Sequence, residues 1–149
     1  MVRWARSPQD AVLVLVATAR ELGHDPERLT PRQCLDTWAA TAHVPFRVPR
    51  DAEADGLFYG FGVEEGTFRL ELVRRFACRD ADEHCVVRYD VRLPATPELE
   101  ALGRHGEWCF EAPASPARRA WTAALAERPE WALLAGTADA EVELTADCA

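Results

Sequence analysis

A Ser or Thr followed by Pro occurs at four well-separated points in this chain, Ser7-Pro8, Thr30-Pro31, Thr96-Pro97 and Ser115-Pro116, and each one dictates where a helix begins. A hydroxyl at the N-cap accepts a hydrogen bond from an orphan N–H of the first turn. Proline at the next position gives up an N–H that has no partner there. Ser7-Pro8-Gln9-Asp10 therefore opens a helix running to about Leu22 and stopped by Gly23. Its middle, Ala11 to Ala17, is apolar on nearly every side, which predicts a central, buried helix. Thr30-Pro31-Arg32-Gln33 has the capping-box form, in which Gln33 reaches back to the cap. The helix after it carries Cys34, Leu35, Trp38, Ala39 and Ala42 on one side. Thr96 opens a short helix ending at Gly103. Ser115 opens another, with Ala117, Ala120, Trp121, Ala124 and Leu125 inward, broken by Pro129. A last helical turn from Glu130 to Leu134 stops at Gly136.

Between the second and third of these starts the hydrophobic period changes from helical to alternating. Leu57 to Val63 reads as an aromatic-rich strand, and Glu64-Glu65-Gly66 supplies a turn in which glycine takes a positive φ. Thr67 to Ala77 alternates with Phe68, Leu70, Leu72 and Phe76 on one face. Cys85 to Leu93 does the same with Val87, Tyr89, Val91 and Leu93. Trp108 to Glu111 and Glu141 to Thr145 add shorter strands. No regular strand–helix–strand alternation appears, so the order predicts an α+β fold: a mainly antiparallel sheet of about four to five strands with helices packed on one face. Residues 1–149 show no repeat, linker or low-complexity tract and read as a single globular domain.

The chain is acidic, with net charge −8, and every one of its 17 basic residues is arginine. Those arginines are scattered, with tight pairs only at Arg74-Arg75 and Arg118-Arg119. A nucleic-acid surface needs clustered positive charge to displace counterions from phosphates, so nucleic acid is not an expected partner. A basic protein surface suits this charge better. Arg3 and Arg6 ahead of the run Ala11–Ala17, with Ala17-Thr18-Ala19 behind it, have the outline of a secretory leader. Asp10 abuts the run and Ser7-Pro8 starts a helix, so the run is read as core and the protein as cytoplasmic. The run is well short of the ~20 apolar residues of a membrane span. Five cysteines, Cys34, Cys78, Cys85, Cys109 and Cys148, are an odd number for a disulfide framework and are expected as thiols in a reducing cytosol.

Candidate sites are few. Cys78 and Cys85 bracket a hairpin turn that holds His84, and His105 lies four residues before Cys109; thiolates and imidazoles of this kind suit zinc. The six-residue gap between the first two cysteines is wider than a zinc knuckle uses. Arg74 breaks the alternation of its strand, falling on the face of Leu70, Leu72 and Phe76, with Tyr89 nearby in the natural hairpin register. A guanidinium aimed inward must be paired or must hold an anion. The simpler expectation is a β-bulge at Val73 or Arg74 that turns the side chain out. Trp108, between polar segments, suits a pocket or an interface. Phe58-Tyr59-Gly60-Phe61-Gly62 places glycines in a strand, where a helix can approach closely. The histidines have no patterned nucleophile or acid beside them.

These features rank three functions. The first is a small non-catalytic interaction or accessory protein that binds another protein or a second copy of itself, with no cofactor. The second is a protein that binds a small anionic ligand, or a modest enzyme, with a pocket between helices and sheet formed by Arg74, Tyr89 and Trp108. The third is a zinc-stabilised domain that uses Cys78, His84, Cys85 and Cys109.

Overall fold

The computed structural model describes residues 7–41, 56–77, 84–104, 109–113 and 127–148, with residues 56, 76, 77, 84, 109–113 and 148 as backbone alone. Within them the helix starts fall where the sequence puts them. α1 spans Pro8–Glu21, and the Ser7 hydroxyl accepts from the Asp10 N–H at 3.3 Å. α2 spans Pro31–Thr41 behind a complete capping box: Gln33 N–H donates to Thr30 Oγ1 at 3.2 Å, and Thr30 N–H donates to Gln33 Oε1 at 3.0 Å. α3 spans Pro97–Gly103, with Leu99 N–H on the Thr96 hydroxyl at 3.3 Å. α4, Pro129–Leu134, begins without a side-chain cap. The helix expected from Ser115 lies outside the described residues.

The strands are β1 (Gly56–Glu64), β2 (Thr67–Ala77), β3 (His84–Pro94), β4 (Cys109–Pro113) and β5 (Glu141–Cys148). All four pairings are antiparallel, and the sheet order is β4-β1-β2-β3-β5. This is the α+β fold that the alternation implies. The Glu64–Thr67 pair closes a two-residue turn in which Glu65 (φ 49°) and Gly66 (φ 76°) are both left-handed. Two positive φ values define the hairpin turn whose twist matches the strands. Gly66 holds such a φ without cost, but Glu65 does not. Replacing Glu65 with Asn should therefore stabilise the fold by about 0.5 kcal/mol, because Asn tolerates this conformation far better. Urea unfolding of the two proteins measures it.

One face of the sheet presents Leu57, Phe68, Leu70, Leu72, Val87 and Val91, all buried. α1 lies against β3 and β5, α2 against β2, and α3 against β1 and β2, while α4 contacts α2 and α3. Gly103 lets α3 end close on β1: a Cβ there would stand 2.5 Å from Val63 Cγ2. The expectation that α1 is buried all round needs correction. Ala11, Val14, Leu15 and Ala19 are buried, yet Leu13 is 62% exposed. A helix with one side on the sheet can leave its other side to solvent whatever its sequence, as α1 does at Leu13. Among the described residues, no helix is long and apolar enough to cross a membrane.

Candidate functional site

Arg74 is where sequence and structure part most sharply. The ladder runs unbroken through Leu57↔Arg74 and Arg74↔Val87, so the expected bulge is absent and the side chain points to the helix side. The residue is 1% exposed. Its Nη1 donates to the carbonyl oxygen of Thr41, the last residue of α2. The final carbonyls of a helix lack intrahelical donors and carry the negative end of its dipole, so a buried cation finds its acceptor there. Three residues earlier, Trp38 Nε1 donates to the Val73 carbonyl at 3.1 Å. Helix and strand thus hold each other by reciprocal bonds at adjacent residues of β2.

Tyr89 lies on the same face as Arg74, diagonally across the β2–β3 ladder. It pairs with Leu72 and Leu144, one step along the ladder, and is buried. Burial first, and the proximity of Cys34 second, raise its phenol above the ordinary range. Cys34 is a free thiol, and burial raises it too. Trp108 and Cys78 lie outside the described residues, and His84 and Cys109 are described by backbone alone. Cys85 is disulfide-bonded, which corrects the expectation of free thiols at this position. A sulfur held in a disulfide is not a thiolate and cannot ligate zinc. Its cross-strand neighbours in register are Phe76 and Cys148. Among the described residues, no cluster of three or more metal-ligating side chains occurs.

A second interior polar group went unread in the sequence. Tyr59 of β1 donates through its hydroxyl to Glu130 Oε1 at 2.9 Å, and Glu130 is 2% exposed. Burial, then the hydrogen bond to Glu130 and its charge, raise the Tyr59 phenol, against the opposing charge and hydrogen bond of Arg128. This group fastens α4 to β1.

The opposite face of the sheet is laid out in rows across β1, β2, β3 and β5. Gly62, Arg69, Arg92 and Glu141 form one row, and Gly60, Glu71, Asp90 and Glu143 the next. Phe58, Val73, Arg88 and Thr145 follow, then Arg75, Val86 and Asp147. Asp90 is the centre of the charges. Arg69 Nη2 reaches its Oδ2 at 2.9 Å, and Arg92 Nη2 reaches the same oxygen at 2.6 Å. Arg88 lies 4.0 Å from Asp147, and the Arg75 guanidinium sits 4.7 Å above the Phe58 ring. Phe58, Val73 and Val86 are half-buried beside these ion pairs.

Burial resists ionisation of Asp90, but hydrogen bonds and charge from Arg69 and Arg92 together outweigh it and hold the carboxyl below its usual range. The unfolded chain then takes up the proton first as acid is added. The stabilisation is complete above about pH 4 and lost as pH falls through the lower folded value. With both arginines partly exposed, the contribution should be about 1 kcal/mol. Urea unfolding between pH 5 and pH 2 should show wild type ahead of Asp90→Asn by that amount at the upper end, with the gap closing below about pH 4.

Comparison with family models, curated proteins and solved structures finds no match to this chain.

Proposed function

We propose that this protein is a non-catalytic binding module that docks another protein on the side of its sheet opposite the helices. The observation behind this reading is the half-buried group Phe58, Val73 and Val86 set among the ion pairs of Arg69, Asp90, Arg92 and Arg88. An apolar centre with a polar, hydrogen-bonded rim is the anatomy of a protein interface. The alternative, an anion pocket, has less behind it, because the Arg74 guanidinium already donates to the end of α2. A photo-reactive benzoylphenylalanine at Val73 or Val86, activated in an extract of the source organism, tests the reading. It expects one discrete adduct common to both positions and absent when the probe replaces Leu133 on the helix side. Equal adducts at all three positions, or none, would reject it.

The cytoplasmic placement expected from the sequence meets one contrary observation, the disulfide at Cys85. Cytosolic thiol buffers keep such bonds reduced, so this bond favours an oxidising compartment. Differential alkylation of protein taken from its native host decides: a Cys85 that alkylates after denaturation without reductant returns the protein to the cytoplasm.

A further inference from the structure

We infer that β5 is the docking edge, and that its occupant is an extended basic segment of a partner protein, added to the sheet as a further antiparallel or parallel strand. This rests on the reading of the protein as a binding module and adds to the open face the edge beside it, where a strand of that partner is held. β5 is the last strand of the sheet, paired with β3 alone among the described residues. An edge strand offers a row of backbone donors and acceptors to an incoming chain, and side-chain alternation sets which chain fits.

The two sides of this edge differ in chemistry. On the helix side, Val142, Leu144 and Ala146 pack against the core beside Val12 of α1 but remain only partly buried. Their counterparts on β3, Val87, Tyr89 and Val91, are fully buried because a strand lies on each side of them. An added strand would complete the burial of the β5 residues in the same way. On the other side, Glu141, Glu143 and Asp147 are exposed. Arg92 comes within 3.8 Å of Glu143 and Arg88 within 4.0 Å of Asp147, both exposed contacts that solvent screens. The complementary strand therefore alternates apolar residues with Lys or Arg.

Charge also selects against the other obvious occupant. A second copy pairing its own β5 antiparallel to this edge, centred on Leu144, would set Glu141 opposite Asp147 with Glu143 close by, and like charges across a strand pair are destabilising. Acidic edges of this kind block self-assembly while leaving a basic partner free to bind.

The test uses the whole protein and a labelled peptide, Lys-Val-Lys-Thr-Lys-Val-Lys, followed by fluorescence anisotropy at low salt. Saturable binding is expected. It should weaken roughly tenfold or more when alternate peptide amides are N-methylated, which removes the ladder and keeps the charge. It should weaken likewise in Glu141→Lys/Glu143→Lys, whose fold is checked by its unchanged melting temperature. The peptide with Glu in place of Lys should bind that variant and not the wild type. Absence of binding, or binding indifferent to N-methylation, overturns the inference. So does a sedimenting dimer that the peptide dissociates. If the Val73 and Val86 adducts form while the peptide fails, the docking-edge inference falls and the binding-module reading stands. Failure of both removes both.

Discussion

Arg74→Ala should destabilise the protein by about 3–5 kcal/mol, measured by urea or thermal unfolding. Two losses combine in that value. The long side chain is 1% exposed, so its removal leaves a void of the kind that costs large-to-small core variants several kcal/mol. The Thr41 carbonyl, at the negative end of α2, loses a charged donor that water cannot readily replace there. Arg74→Lys separates the two, because it restores charge and most of the volume without the planar fork of the guanidinium. It should recover about half of the loss. A surface-like change of under about 0.5 kcal/mol for Arg74→Ala would mean that the side chain leaves the core in solution.

Tyr59→Phe should cost about 2–3 kcal/mol, a large effect for the removal of one oxygen. The variant keeps the ring and its packing, so the cost falls on the hydrogen bonds of the hydroxyl: buried Glu130 loses its phenol donor and Arg128 loses the phenol oxygen. Removing one partner of a buried charged hydrogen bond is costly because the other stays desolvated. The double variant Tyr59→Phe/Glu130→Gln should be less unstable than the sum of the singles, and thermal melts of all four proteins give the coupling directly. Additive losses would show that the two groups do not interact.

Both groups explain why the interior was harder to read than the frame. Capping hydroxyls, the turn glycine and the two-residue alternation act over a few residues, so Thr30, Gly66 and the β2 pattern announce themselves locally. Arg74 announced only a conflict. Its direction follows correctly from alternation, but the carbonyl to which it donates belongs to a helix end distant in sequence, which no local pattern in β2 points to. Glu130 carried a fainter signal: an acid between Pro129 and Trp131 in a helix whose other inward residues are apolar, with Tyr59 as the polar member of Leu57, Tyr59, Phe61 and Val63. Pairing them needs the sheet order, which alternation does not specify. The rows on the opposite face were legible as polar positions, while the grouping of Arg69, Arg92 and Asp90 depends on register. For α1, composition misled, because burial depends on how many layers surround a helix as well as on its sequence.

The sheet order β4-β1-β2-β3-β5 also sets the sequence in which the strands can assemble. β1, β2 and β3 follow one another along the chain, whereas Tyr59↔Phe110 and Tyr89↔Leu144 join residues far apart. Pairings between distant segments must close a long loop before any contact offsets the lost entropy. The central meander is thus suited to form first, with both outer strands added later. Amides of β2 and β3 should exchange with solvent slowest of all, while β5 opens in smaller excursions at lower free energy. A strand that detaches and re-docks without unfolding the rest keeps its edge available on the timescale of an encounter.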